Sequence, residues 1–177
     1  MKRILLSLAV VTMGISVAAA QSEVKKSTVE GITNFAQIET TVACSGAIKP
    51  ESIPAIKKMG FVSIINLRLP TEPGANPEAE EAAARAAGIK YTYLPFSTAM
   101  PDPTVADRFL QTLATPGNQP AFIHCSGGGR AATMWFIKRV LVDKWDTDRA
   151  MEEATQLGMN GQALKTFALD YIQSHKK

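Results

Sequence analysis

The chain has 177 residues, 46% of them apolar and 20% charged, with a formal net charge of +3. That balance suits one globular domain with a packed core and excludes a disordered chain. Two cysteines are too few for a disulfide-dense scaffold.

The first 20 residues alter the charge reading. Lys2 and Arg3 precede an apolar run from Ile4 to Val17, and Ala18, Ala19 and Ala20 follow it. This order predicts a secretory signal peptide over residues 1–20, cleaved near Ala20. Ser7, Thr12, Gly14 and Ser16 interrupt the run, which is short for a membrane span. The mature chain then has 157 residues, and the leader removes two of the 19 basic and none of the 16 acidic groups, leaving +1. A nearly neutral chain gives no support to a nucleic-acid or membrane-surface partner. The expectation is an exported protein, periplasmic or secreted, without a stable membrane anchor.

Residues 21–38 show no clear period and read as an irregular N-terminal arm, followed by one domain over 39–177. Glu39 to Cys44 reads as a strand, and Glu51 to Met59 as a helix stopped by Gly60. Phe61 to Leu67 is an apolar run of strand length, the kind buried on both faces of a parallel sheet. Asn76 and Pro77 supply an N-cap and an N1 proline to a helix ending at Gly88. Tyr91 to Leu94 is the next strand. Asp102 and Pro103 repeat the cap signature for a helix to Ala114, and Ala121 to His124 is a further strand. Helices are predicted from Arg130 to Val142, Thr147 to Leu157 and Gly161 to Ser174. Strands separated by helical crossovers predict an α/β single domain, a mostly parallel four- to five-stranded sheet flanked by helices.

In such sheets ligands bind beyond the carboxyl ends of the strands. The informative stretch is therefore His124-Cys125-Ser126-Gly127-Gly128-Gly129-Arg130-Ala131, where a strand passes into a helix. The glycines let backbone N–H groups curl inward, and the helix start adds its own N–H groups and dipole, making an anion cradle. The same field favours a thiolate at Cys125. Arg130 offers a guanidinium fork to two oxygens of a phosphate or sulfate. A buried, inert cysteine beside a glycine turn is the plainer alternative, but it leaves the glycine run and the arginine without a reason.

At these residues the chain resembles the cysteine-dependent phosphatases, and more closely their compact bacterial dual-specificity-like branch. That branch includes the phosphatase domain of beta-lactamase hydrolase-like proteins, with Cys and Arg separated by four residues. The likeness extends upstream through Ser45 to Pro50, Gly60 to Arg68 and Gly88 to Pro95, covering about residues 40–142. It implies hydrolysis of phosphomonoesters through a phosphocysteine on Cys125, with Arg130 and the loop N–H groups of Ser126 to Ala131 holding the phosphoryl oxygens. A phosphorylated protein or small molecule is the implied partner. No cofactor is required, and His124 and His175 without C-x-x-C or H-x-x-x-H spacing predict no metal site.

The family's general acid follows the third strand, where Asp102 is the first candidate and Asp107 the second; an N-cap role explains Asp102 as well. The family's hydroxyl after the arginine is replaced by Ala131, with Thr133 two residues on. His124 is expected to support the loop, because strand alternation turns it away from the nucleophile's face. Arg68 and Glu72 are expected either to rim the pocket or to form an exposed ion pair. Trp135 and Phe136 belong to the core. Glu78, Glu80 and Glu81 read as a solvated first helical turn. Cys44 reads as a buried small residue, with a regulatory disulfide to Cys125 as the sharper alternative. Two other functions fit the short loop: a rhodanese-like sulfurtransferase carrying a Cys125 persulfide, and a catalytically weak anion-binding module.

Overall fold

The structure is a computed structural model that describes residues 23–38 and 40–176, so the expected leader lies outside the described residues. Six strands form one sheet: β1 (Val24–Lys26), β2 (Ala36–Ile38), β3 (Val42–Ser45), β4 (Ser63–Asn66), β5 (Lys90–Tyr93) and β6 (Ala121–His124). Their order across the sheet is β1-β2-β3-β6-β4-β5. From β3 to β5 all neighbours are parallel, and β1 and β2 add an antiparallel edge.

The edge corrects the expectation of an irregular arm and of four to five strands. Strands of three residues are too short to show a period. What fixes them is tertiary: Ala36 and Ile38 are buried, while Lys25 and Lys26 stay exposed.

The helices are α1 (Ile53–Lys58), preceded by a 3-10 turn at Pro50–Ser52, α2 (Pro77–Ala86), α3 (Pro103–Ala114), α4 (Gly129–Leu141), α5 (Thr147–Leu157) and α6 (Gln162–His175). Asn76 caps α2 as expected, its Oδ1 accepting the Ala79 N–H at 3.0 Å. Alternation along β6 divides the molecule into two apolar layers. Phe122 packs with Ile53, Ile56, Phe61 and Ala84 on the α1–α2 face. Ala121 and Ile123 face the larger layer with Phe109, Trp135, Phe136 and Leu164 on the other. Helix α4 is buried from Gly129 to Val140. It begins at the end of the loop that follows β6, so that loop is joined to a helix buried over most of its length.

Candidate active site

The loop between β6 and α4 is held from outside by its carbonyls. The Ser126 carbonyl accepts the Ala47 N–H at 3.0 Å, and the Gly127 carbonyl accepts Asn34 Nδ2–H at 3.1 Å. A trans peptide points its C=O and the next N–H in opposite directions, so these anchors turn the N–H groups of Gly127 and Gly128 inward. The Gly128 N–H reaches Cys125 Sγ at 3.1 Å. Gly128 adopts φ 103, which only glycine reaches without strain, and it is the N-cap of α4. Close approach matters at Gly46 as well, where a Cβ would stand 2.7 Å from the Ser126 carbonyl.

Cys125 is 1% exposed and lines a cavity of about 270 Å³ with Ser126, Gly127, Gly129 and Arg130 from the loop. Thr98 closes one side, and Asn160, Ala163 and Leu164 another. Of the residues singled out in sequence, Cys125, Ser126, Gly127, Gly129 and Arg130 meet around this cavity. Thr98, Asn160 and the anchoring Asn34 carried no signal, because each arrives from a segment remote in sequence.

The arginine is held in place before any ligand arrives. Arg130 Nη1–H donates to the carbonyls of Leu67 (3.0 Å) and Phe96 (2.9 Å), and Nη2–H to Glu72 Oε2 (2.9 Å) and Ser126 Oγ (2.9 Å). Glu72 Oε1 also lies 2.6 Å from Nη1. Burial disfavours charge on Arg130, but the Glu72 carboxylate and the Cys125 sulfur outweigh it and hold the guanidinium above its ordinary range. Partial burial likewise opposes charge on Glu72, and hydrogen bonds from Arg130 and the Leu69 N–H outweigh it, leaving the carboxyl below its usual range.

Arg68 and Glu72 are therefore neither rim nor exposed pair. Arg68, 3% exposed, donates to the Pro73 and Gly74 carbonyls and to Glu72, which fixes the turn that presents Glu72 to Arg130.

Three further expectations change. Asp102 does not line the cavity. It is exposed, and its Oδ1 accepts the Thr104 N–H (2.9 Å) and hydroxyl (2.8 Å), which cap α3 and hold the carboxyl below its usual range. A carboxyl held ionised at the helix start is poorly suited to donate a proton. Asp107 accepts the Tyr171 hydroxyl at 2.6 Å. Thr133 donates to the Gly129 carbonyl of its own helix at 2.8 Å, so it does not supply the missing hydroxyl to Cys125. Glu80 is not solvated: it is 1% exposed, with Oε2 accepting from Asn66 Nδ2 (2.8 Å) and the Tyr91 hydroxyl (2.9 Å). His124 Nε2 lies 3.1 Å from the same oxygen, which places the histidine against the α2 side of the sheet, away from Cys125. Cys44 and Cys125 are both free thiols, and burial, then the neighbouring Cys125, pushes the Cys44 thiol well up.

Known proteins resemble this chain in sequence and in fold. The beta-lactamase hydrolase-like protein of Agrobacterium fabrum (strain C58 / ATCC 33970) is 34% identical over 108 residues, 59% of this chain and 25% of that protein. The chain thus spans about a quarter of the length of the curated relatives it matches. Among solved structures, the core catalytic domain of the S. cerevisiae PP-IP phosphatase superposes with a TM-score of 0.65 at 20% identity, covering 83% of this chain and 93% of that one. P. aeruginosa TpbA in complex with pTyr superposes with a TM-score of 0.63 at 16% identity, covering 91% and 93%. The profile of the beta-lactamase hydrolase-like protein, phosphatase-like domain, matches residues 34–142, which include the whole loop from Cys125 to Arg130 and the Glu72 turn that holds it, and the chain belongs to that family.

Proposed function

We propose that the protein is an exported, cysteine-dependent phosphatase that hydrolyses aryl phosphomonoesters, phosphotyrosine among them, through a phosphocysteine. The observation that carries this reading is the Gly128 N–H on Cys125 Sγ at 3.1 Å in one cavity with a guanidinium already held by Glu72. On the cavity side Arg130 Nη2 meets the exposed Ser126 hydroxyl, and the guanidinium also reaches the Cys125 sulfur. A phosphoryl group displacing that hydroxyl meets Nε and Nη2 as a bidentate pair.

In the first step Cys125 sulfur forms a bond to phosphorus as the ester P–O bond breaks, and the leaving oxygen departs with the bonding pair. In the second, water attacks phosphorus, the S–P bond breaks, and phosphate and thiolate are released. The inward N–H groups and Arg130 stabilise the equatorial oxygens in both. With Asp102 engaged at the cap, leaving groups that depart readily without a proton are favoured. Phenols meet that condition far better than serine or threonine alcohols, and the TpbA complex with pTyr is in keeping with an aryl ester.

Acid quenching during turnover of an aryl phosphate, followed by peptide mass spectrometry, is expected to find phosphate on Cys125. Thiosulfate-to-cyanide transfer with a persulfide there would assign sulfur transfer instead. Neither product under reducing conditions would leave an anion-binding module. Asp102→Asn, which keeps a capping carbonyl, is expected to change kcat/KM for an aryl phosphate by less than about threefold, whereas an acid role requires a loss of about 10²-fold or more.

A further inference from the structure

A second groove adjoins the cavity at Cys125. Ala163 lines both, and the groove of about 650 Å³ runs along α6 between Phe167 and Tyr171 on one side and Pro101 and Pro103 on the other. Ala163, Phe167 and Tyr171 recur at spacings of four, so one face of α6 leads from the nucleophile outward. The geometry points to this groove as the subsite for a second apolar group on the substrate's leaving group, adjoining the phosphorylated ring. This rests on the phosphatase reading and adds to it a preference that the catalytic loop cannot provide.

Three observations favour an apolar occupant. Prolines, aromatic rings and Ala163 line the groove together with the uncharged Gln162, Thr166 and Ser174, and its one charged lining residue is Asp170, which repels a second phosphate. Its floor is joined to the catalytic arginine through one residue: the Phe96 ring lies 5.0 Å from that of Phe167, and the Phe96 carbonyl accepts Arg130 Nη1–H at 2.9 Å. Finally, Met100 lies in sequence between Thr98 of the cavity and Pro101 of the groove, and its unbranched apolar side chain is 80% exposed. Among the described residues, a leaving group carrying further phosphates finds no cation lining this path other than Arg130 itself.

Affinity tests this separately from turnover. In the Cys125→Ser chain, 4-biphenylyl phosphate is expected to bind about tenfold more tightly than phenyl phosphate, the gain from enclosing a second ring. Met100→Asp or Phe167→Ser in that background is expected to bring the ratio to within about twofold of unity. Met100 is exposed, so its variant reports on the groove even where Phe167→Ser unfolds the chain. Equal affinities for the two esters in the unaltered groove, or a preference that both substitutions leave intact, would overturn the subsite. Absence of Cys125-dependent hydrolysis of phenyl phosphate by the wild-type chain would instead remove the phosphatase reading, with the affinity ratio still deciding the groove.

Discussion

Cys125→Ser is expected to lower kcat/KM for an aryl phosphate on the order of 10⁵-fold while leaving the fold intact. The size follows from the proposed role: with the sulfur as the atom that bonds to phosphorus, removing it disables both steps together. The intact fold follows from the environment. Serine is smaller than cysteine, its oxygen accepts the Gly128 N–H in place of sulfur, and the outward anchors on Ser126 and Gly127 do not involve the side chain. Arg130 remains fixed by Leu67, Phe96 and Glu72, so the variant should still bind phosphate. Steady-state kinetics together with phosphate affinity check this. Loss of binding in parallel with rate would mean that the cradle had collapsed, and residual activity above about 1% would place the nucleophile elsewhere.

What the sequence disclosed was whatever a local rule governs. The strand, glycine run and helix from Ala121 to Leu141 are contiguous, so their residue types alone implied a cradle with Cys125 and Arg130 in it. Caps were legible for the same reason, and at Asp102 the cap signature describes the observed contacts while the catalytic analogy does not. The outer support of the site was hidden because it comes from afar: Asn34 holds a loop carbonyl 93 residues away, and Glu72 holds Arg130 58 residues away. Arg68 and Glu72 could be singled out from their family pattern, yet the pattern could not say that the pair is partly buried and faces the arginine. Strands β1 and β2 were missed because three residues hold no period, and their register is set by β3.

Glu80 is the clearest case of a local rule overridden, and Glu80→Ala is expected to destabilise the fold by about 3 kcal/mol or more. An acidic residue in the first turn of a helix is favoured there by the dipole whether solvated or not, so the sequence of α2 alone cannot reveal that this one points inward. Burial arises because β4, β5 and β6 each aim a polar group at it: Asn66, the Tyr91 hydroxyl and the His124 ring. Burial, and the adjacent Glu80 carboxyl, push the Tyr91 phenol up despite the opposing Asn66 bond, so Tyr91 remains a donor across the working pH range. Without the carboxylate, Asn66 Nδ2 and the Tyr91 hydroxyl keep their mutual bond at 2.8 Å but lose their shared acceptor, and His124 faces an apolar gap. Asn66 Oδ1 also accepts the Arg68 N–H at 2.7 Å, and His124 adjoins the nucleophile, so disorder here reaches both the Glu72 turn and the catalytic loop. Glu80→Gln keeps the volume and one acceptor and should cost clearly less than alanine. Urea unfolding of the three chains measures the difference; a loss below about 1 kcal/mol for alanine would return Glu80 to the surface, where such substitutions usually fall within about 0.5 kcal/mol.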